Sequence, residues 1–204
     1  MLTVKQKKWI AHLPNNDTIG IKPYDPSSPE KFEKVKKRIQ SVLGGKTRVE
    51  HCGATRLGIS GQDEIDIYLP VLPDKFDPLL VLLQKIFGEP KSLYPLERAR
   101  FATFEDGKHI DVFLINEECD GWKNGVKFET YLKTHPRTLE TYRQLKEAGD
   151  GLSTRAYYKR KITFINECLA KYKLSTKSSR RMNGPTERLF SYVNFFVSFC
   201  SNRR

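Results

Sequence analysis

The sequence predicts an α/β (α+β) fold, a mixed β-sheet packed with helices and followed by a helical C-terminal segment. Three observations predict it. Short apolar runs of strand character alternate with stretches of helical period through the first half of the chain. Asp106-Gly107 sits between two strand-like runs, the residue pair a type I′ hairpin turn favours. From about residue 122 onward the apolar spacing is helical.

Each element has a local reason. Residues 18–22 read as a short strand. The proline-rich loop PYDPSSPE leads into a helix, with Ser28 as N-cap, Pro29 at the first helical position and Glu30 in the first turn. Phe32, Val35, Ile39 and Val42 form its apolar face, and Gly44-Gly45 stops it. A strand is expected over 47–52 and another over 64–71, with Pro70 suggesting an end or an edge. Asp77-Pro78 opens a helix that runs through Phe87 to Gly88. Residues 98–105 and 108–115 form the hairpin. Helices follow over 122–134, 136–148 and 154–172.

The 204 residues carry a net charge of +12, a balance that favours anionic partners such as nucleotides, RNA or phosphorylated metabolites. Half of that excess lies in residues 173–204. One domain is therefore expected over 1–172, followed by a basic linker and an aromatic run, ERLFSYVNFFVSFC, that is unassigned between helix and strand. No apolar run approaches the roughly 18 residues of a membrane span, and the N-terminus is too polar for a signal peptide. Cys52, Cys119, Cys168 and Cys200 are widely spaced, which argues against a zinc site or a disulfide framework. A reducing cytoplasmic setting is the default.

The segment VEHCGATRLGISGQDEIDIYLPV carries the chemistry. A strand ends at Gly53-Ala54, nine residues follow, and a second strand opens with Glu64-Ile65-Asp66-Ile67. Alternation places Glu64 and Asp66 on one face. Two carboxylates beside a glycine turn can hold a divalent cation, Mg2+ or Mn2+. The backbone N–H groups of the turn can receive phosphate oxygens. Asp111, within HIDVFLI, is costly near a strand centre unless paired, hydrated or metal-bound. It is expected to join Glu64 and Asp66 as a third metal ligand, or to accept a proton from an acceptor hydroxyl. The alternative is an ion pair with Arg98, Arg100 or Lys108 on the same hairpin. Arg56 is either a phosphate contact or a solvated cation. His51 is expected to serve the strand or the core, and His109 shares a face with Asp111.

The Gly-Ala, nine-residue, acid–apolar–acid–apolar pattern is similar to the signature of the nucleotidyltransferase superfamily. Within it the chain resembles the GrpB-like family. Three blocks carry the resemblance over about residues 19–169: IKPYDPSSPEKFEKVKKRI, VEHCGAT, and FETYLKTHPRTLETYRQLK with YYKRKITFI. The last is the most specific, through Phe128, Tyr131, Leu132, His135-Pro136, Tyr142, Lys146, Tyr157 and Lys161. Ala54 stands where the family usually has Ser, and Thr55 is retained. Asp66 matches the acid that family members commonly keep. His109-Ile110-Asp111 replaces a frequent His-x-His, and Tyr68 occupies the place of a second acid in some members.

The resemblance implies a nucleotidyltransferase-like fold and transfer of a nucleoside monophosphate from a triphosphate to an unknown acceptor. In that reading Glu64, Asp66 and Asp111 hold the metal. Gly53, Ala54, Thr55 and Arg56 receive the phosphates. Tyr157 and Lys161, four apart on one helix face, supply base stacking and a phosphate contact. The plain alternative for this pair, and for Tyr142 and Lys146, is a lysine stem covering apolar surface. Two other functions are kept open. One is the same fold binding a nucleotide or anionic metabolite without turnover; the other is RNA binding through the basic surface.

Overall fold

The computed structural model describes residues 1–180. In chain order these form α1 (Val4–His12), α2 (Ser28–Leu43), β1 (Glu50–Cys52), α3 (Gly53–Arg56), β2 (Glu64–Val71), α4 (Pro73–Phe87), β3 (Ser92–Tyr94), β4 (Arg98–Glu105), β5 (Lys108–Asn116), α5 (Asp120–Thr134), α6 (Pro136–Glu147) and α7 (Thr154–Arg180). Among the described residues two compact units emerge, residues 21–122 and residues 1–20 with 123–180. The aromatic run expected near the C-terminus lies outside the described residues. No helix among the described residues is long and apolar enough to cross a membrane.

The first unit is built on a five-stranded mixed sheet of order β1-β2-β5-β4-β3. β2 and β5 pair in parallel, and every other pairing is antiparallel. A parallel pair needs a long crossover, and α4, β3 and β4 lie within it. The hairpin between β4 and β5 turns at Asp106 (φ +50°) and Gly107 (φ +76°), the two positive angles of a type I′ turn.

The two sheet faces differ in chemistry. Ile65, Ile67 and Leu69 of β2, Ile110, Val112 and Leu114 of β5, and Ala99 and Phe101 of β4 point to one side. There they pack with Phe32, Val35 and Ile39 of α2 and Phe76 and Leu83 of α4. Glu64, Asp66 and Tyr68, His109, Asp111 and Phe113, and Arg98 and Arg100 share the opposite face.

Several local expectations are corrected. Residues 18–22 form no strand beyond an isolated Lys22–Gly61 bridge. The backbone of Ile19 is instead satisfied by Gly151 and Leu152. Ser27, rather than Ser28, occupies the N-cap of α2, because its N–H and hydroxyl are drawn to Asp25. Val42 is exposed, whereas Phe32, Val35 and Ile39 are buried as expected. β1 begins only at Glu50, since Thr47 closes back on the end of α2 through Gly44, Leu43 and Gln40. α4 starts at Pro73 and carries Pro78 inside it, so one intrahelical bond is lost while Phe76 and Leu83 stay buried. β3, half-buried and three residues long, has too little apolar signal to be read from sequence. α7 runs on through residue 173 to Arg180, where a linker was expected.

In the second unit α1, which the sequence reading did not assign, starts at a Thr3–Gln6 capping box, the one local signal that marks it. Gln6 bonds Asn166, Arg155 donates to the Leu13 carbonyl, and Trp9 meets Tyr158 edge-on, which ties α1 and its following loop to α7. Most residues that carry the C-terminal family resemblance are packing residues, although His135 and Pro136 are exposed. Tyr142 stacks on Phe164 at 5.4 Å and meets Phe128 edge-on at 5.3 Å. Leu132 and Tyr157 have no exposed surface.

Replacing Ile67, fully buried at the centre of the apolar face, by Ala should cost about 2–5 kcal/mol, read by urea denaturation. A second prediction concerns acid stability. Asp25 accepts from the Ser27 hydroxyl and N–H, from Lys108 and from Lys31, and these hold its carboxyl well below the ordinary 3.8. A lowered folded-state pKa contributes stability above the ordinary value and loses it as pH falls below. Asp25→Asn should therefore flatten the fall in melting temperature below about pH 4, and an unchanged acid limb would contradict this.

Candidate functional site on the polar face of the sheet

The glycine turn is where the two chemistries meet. β1 places Cys52 opposite Asp66, and the chain then turns at Gly53 with φ +78°. A Cβ at Gly53 would collide with the Asp66 carboxylate. Only glycine satisfies both the angle and the approach. The next residues form the short helix α3, so Gly53, Ala54, Thr55 and Arg56 all belong to one turn beside Asp66.

Within that turn the side chains have different fates. Thr55 is buried, and its hydroxyl is joined to His51 Nε2 at 2.9 Å and to the Glu64 carbonyl at 3.4 Å. It fastens the turn to β2, so its expected part in phosphate contact falls to its backbone. His51 stacks on Phe32 at 4.7 Å and serves the core, as its strand position suggested. Arg56 is exposed. Lys108, almost buried, reaches both Asp63 and Asp25 and joins the end of the glycine loop to the start of α2.

The three acids lie on one face. Asp66 and Asp111 are direct register partners across the parallel pair, and Glu64 stands opposite His109. They do not converge as the three-ligand cluster expected from sequence: among the described residues no group of three or more His, Cys, Asp or Glu side chains is placed to hold a metal ion. Asp111 is instead bound by Arg100, Nη2 to Oδ1 at 3.0 Å, with both side chains about nine-tenths buried. Ala102 is the residue opposite Asp111. Its small side chain leaves room for Arg100, on the diagonal, to reach across. The sequence offered Arg98, Arg100 and Lys108 as equal partners; only the register selects among them.

Deeper along the same face lies an aromatic and cationic floor. Tyr68 stacks on Phe113 at 4.6 Å and tilts against Trp122 at 5.8 Å. Burial, and then the Asp66 charge, push the Tyr68 phenol well above its usual range. The Arg98 guanidinium, 1% exposed, lies over Tyr94 at 5.0 Å and Phe113 at 5.7 Å.

The donor set still suits magnesium. Mg2+ keeps several waters and is commonly held by one or two carboxylates with substrate phosphates, rather than by an all-protein cage. Asp66, pressed against the bare Cα of Gly53, with Glu64 on the same face, meets that requirement.

Tyr157 does not meet the requirement for stacking a base. Its ring is fully enclosed, a Cβ at Gly149 would collide with it, and Lys146 donates to its hydroxyl at 3.5 Å. Lys161 lies over the Tyr158 ring at 5.2 Å. Lys161 thus meets a ring three residues back, not its expected partner Tyr157 four back.

Gly53→Ala should destabilise the protein by about 1–3 kcal/mol for the positive φ alone, with a further penalty for displacing Asp66. Chemical denaturation measures this, and a loss under 0.5 kcal/mol would contradict the close approach.

Comparison with known proteins follows the same outline. The profile of the family described as GrpB protein matches residues 18–171. A UPF0157 protein of Halalkalibacterium halodurans is 45% identical over 60 residues, which cover 28% of this chain. That match spans only 31% of the relative's length. The crystal structure of conserved protein GrpB from Enterococcus faecalis superposes with a TM-score of 0.59 and 23% identity, over 74% of this chain and 98% of that one. A Leishmania infantum polymerase beta, in a ternary gap complex, aligns at TM-score 0.35 and 15% identity over 76% of this chain and 55% of that one, below the level of a common fold. The sheet order and the helices packed on it are thus those of a known fold, and the chain belongs to the GrpB protein family.

Proposed function

We propose that this protein binds a nucleoside triphosphate with a divalent cation on the polar face of its sheet. Gly53, Ala54, Thr55 and Arg56 receive the phosphates through the α3 turn, and Asp66 with Glu64 holds Mg2+ or Mn2+, joined by Asp111 once it is released from Arg100. The observation that supports this reading is the contact of the Asp66 carboxylate with a glycine turn at φ +78°. It sets a carboxylate for the cation beside backbone N–H groups for the phosphates, the two recognition elements a metal–triphosphate needs. A bound cation would neutralise charge on the phosphates.

Turnover is the second reading, and the position of Asp111 opposite Asp66 favours it. An acceptor hydroxyl would attack the α-phosphorus, its proton would pass to Asp111, and the bond to pyrophosphate would break. Two features favour binding alone. Asp111 already accepts from Arg100, and Ala54 offers no hydroxyl to a phosphate.

Thermal shift with each of the four ribonucleoside triphosphates, with and without Mg2+, tests the proposal. At least one should raise the melting temperature in a Mg2+-dependent way, and Asp66→Asn should lose most of that rise. Pyrophosphate release that needs Mg2+ and falls by orders of magnitude in Asp66→Asn would establish turnover. No shift with any triphosphate, with Mg2+ or Mn2+, would refute the binding site.

A further inference from the structure

The Arg100–Asp111 pair changes how the site would take up its cation. Three carboxylates, Glu64, Asp66 and Asp111, share this face with two buried guanidiniums, Arg98 and Arg100. The acid directly across from Asp66 already has a cation. That cation is a planar fork on a long stem, suited to carboxylate and equally to phosphate. Breaking a buried ion pair without replacing both partners' interactions is strongly unfavourable. A metal ion arriving alone can compensate Asp111 but costs Arg100 its ion pair with that carboxylate. A metal ion arriving with a triphosphate supplies a new partner to each: the cation to Asp111 and a phosphate oxygen to Arg100.

We propose that Arg100 is the built-in counter-cation of Asp111, that it competes with a divalent metal for this carboxylate, and that the phosphates of the incoming nucleotide relieve the competition. Metal and nucleotide then bind with positive coupling, and by linkage each raises the affinity of the other by the same factor. Arg100 is a positioning residue for the site, acting first on Asp111 and then on phosphate. The inference rests on the nucleotide-binding reading above. It explains why Asp66 and Asp111 stand in register, with Glu64 on the same face, and yet the three do not gather into a metal cluster.

The experiment is a Mn2+ titration, followed by the electron paramagnetic resonance of free Mn2+ and by calorimetry. It is run alone and with a saturating α,β-methylene triphosphate that cannot release pyrophosphate. Wild type should bind Mn2+ weakly by itself and at least tenfold more tightly with the triphosphate. Arg100→Gln should bind Mn2+ alone several-fold more tightly than wild type, and its coupling factor should fall toward one. Arg100→Lys keeps the charge and loses the fork, so its coupling should be intermediate. It decides the matter if Arg100→Gln does not fold. In an Asp111→Asn background Arg100→Gln should no longer tighten Mn2+ binding, a result a merely structural arginine would not give.

Equal Mn2+ affinity in wild type and Arg100→Gln, or an unchanged coupling factor, would overturn the proposal. So would the absence of Mn2+ binding in both. If wild type takes up no nucleotide, the binding reading fails, and the competition is then judged on Mn2+ affinity alone.

Discussion

The parallel pairing of β2 with β5 is the constraint from which most of the site follows. Its register sets Ile65, Ile67 and Leu69 beside Ile110, Val112 and Leu114, and in the same stroke sets Asp66 beside Asp111. A slip of one residue would turn both sets over, sending carboxylates into the contacts of α2 and α4 and isoleucines to the polar face. The apolar core thus holds the acids where they are. The stability of the fold and the geometry of the candidate site are two faces of one register.

The polar face is organised by charge as much as the other is by packing. Asp111 is tolerated near the centre of a buried strand because Arg100 lies 3.0 Å away. Arg98 is tolerated at 1% exposure in part because two aromatic rings lie under its guanidinium. Neighbouring loops use the same device, with Lys108 held between Asp63 and Asp25. A site built from such pairs is close to neutral before any ligand arrives. In the proposed reading, a cation binding there would exchange partners rather than fill a negative hole.

The second unit shows how a sequence block can mark a family without marking a binding surface. Phe128, Tyr131, Tyr142, Lys146 and Tyr157 belong to the block that carries the family resemblance. All are buried: Phe128 meets Tyr142, Lys146 reaches Tyr157, and Tyr131 stacks on His135. Lys146 lies over the Tyr142 ring four residues before it, and Lys161 over the Tyr158 ring three before it.

The sequence by itself determined the mixed sheet, the Asp106-Gly107 hairpin, the start of the glycine turn and the alternation of Glu64 with Asp66. These are local matters: period two, positive φ and turn chemistry act over a few residues. The sequence also determined membership of the GrpB family, which the match over residues 18–171 shows. It did not determine α1, the short β3 or the extension of α7, whose stability comes from partners distant in sequence. Tertiary structure alone decided which cation Asp111 would meet. Arg98, Arg100 and Lys108 all lie on the hairpin, but the register puts only Arg100 on the diagonal from Asp111, beside the small Ala102 opposite it. It likewise decided that Thr55 fastens its own turn and that Tyr157 is enclosed, because burial depends on what other segments bring to a position and no local spacing encodes it.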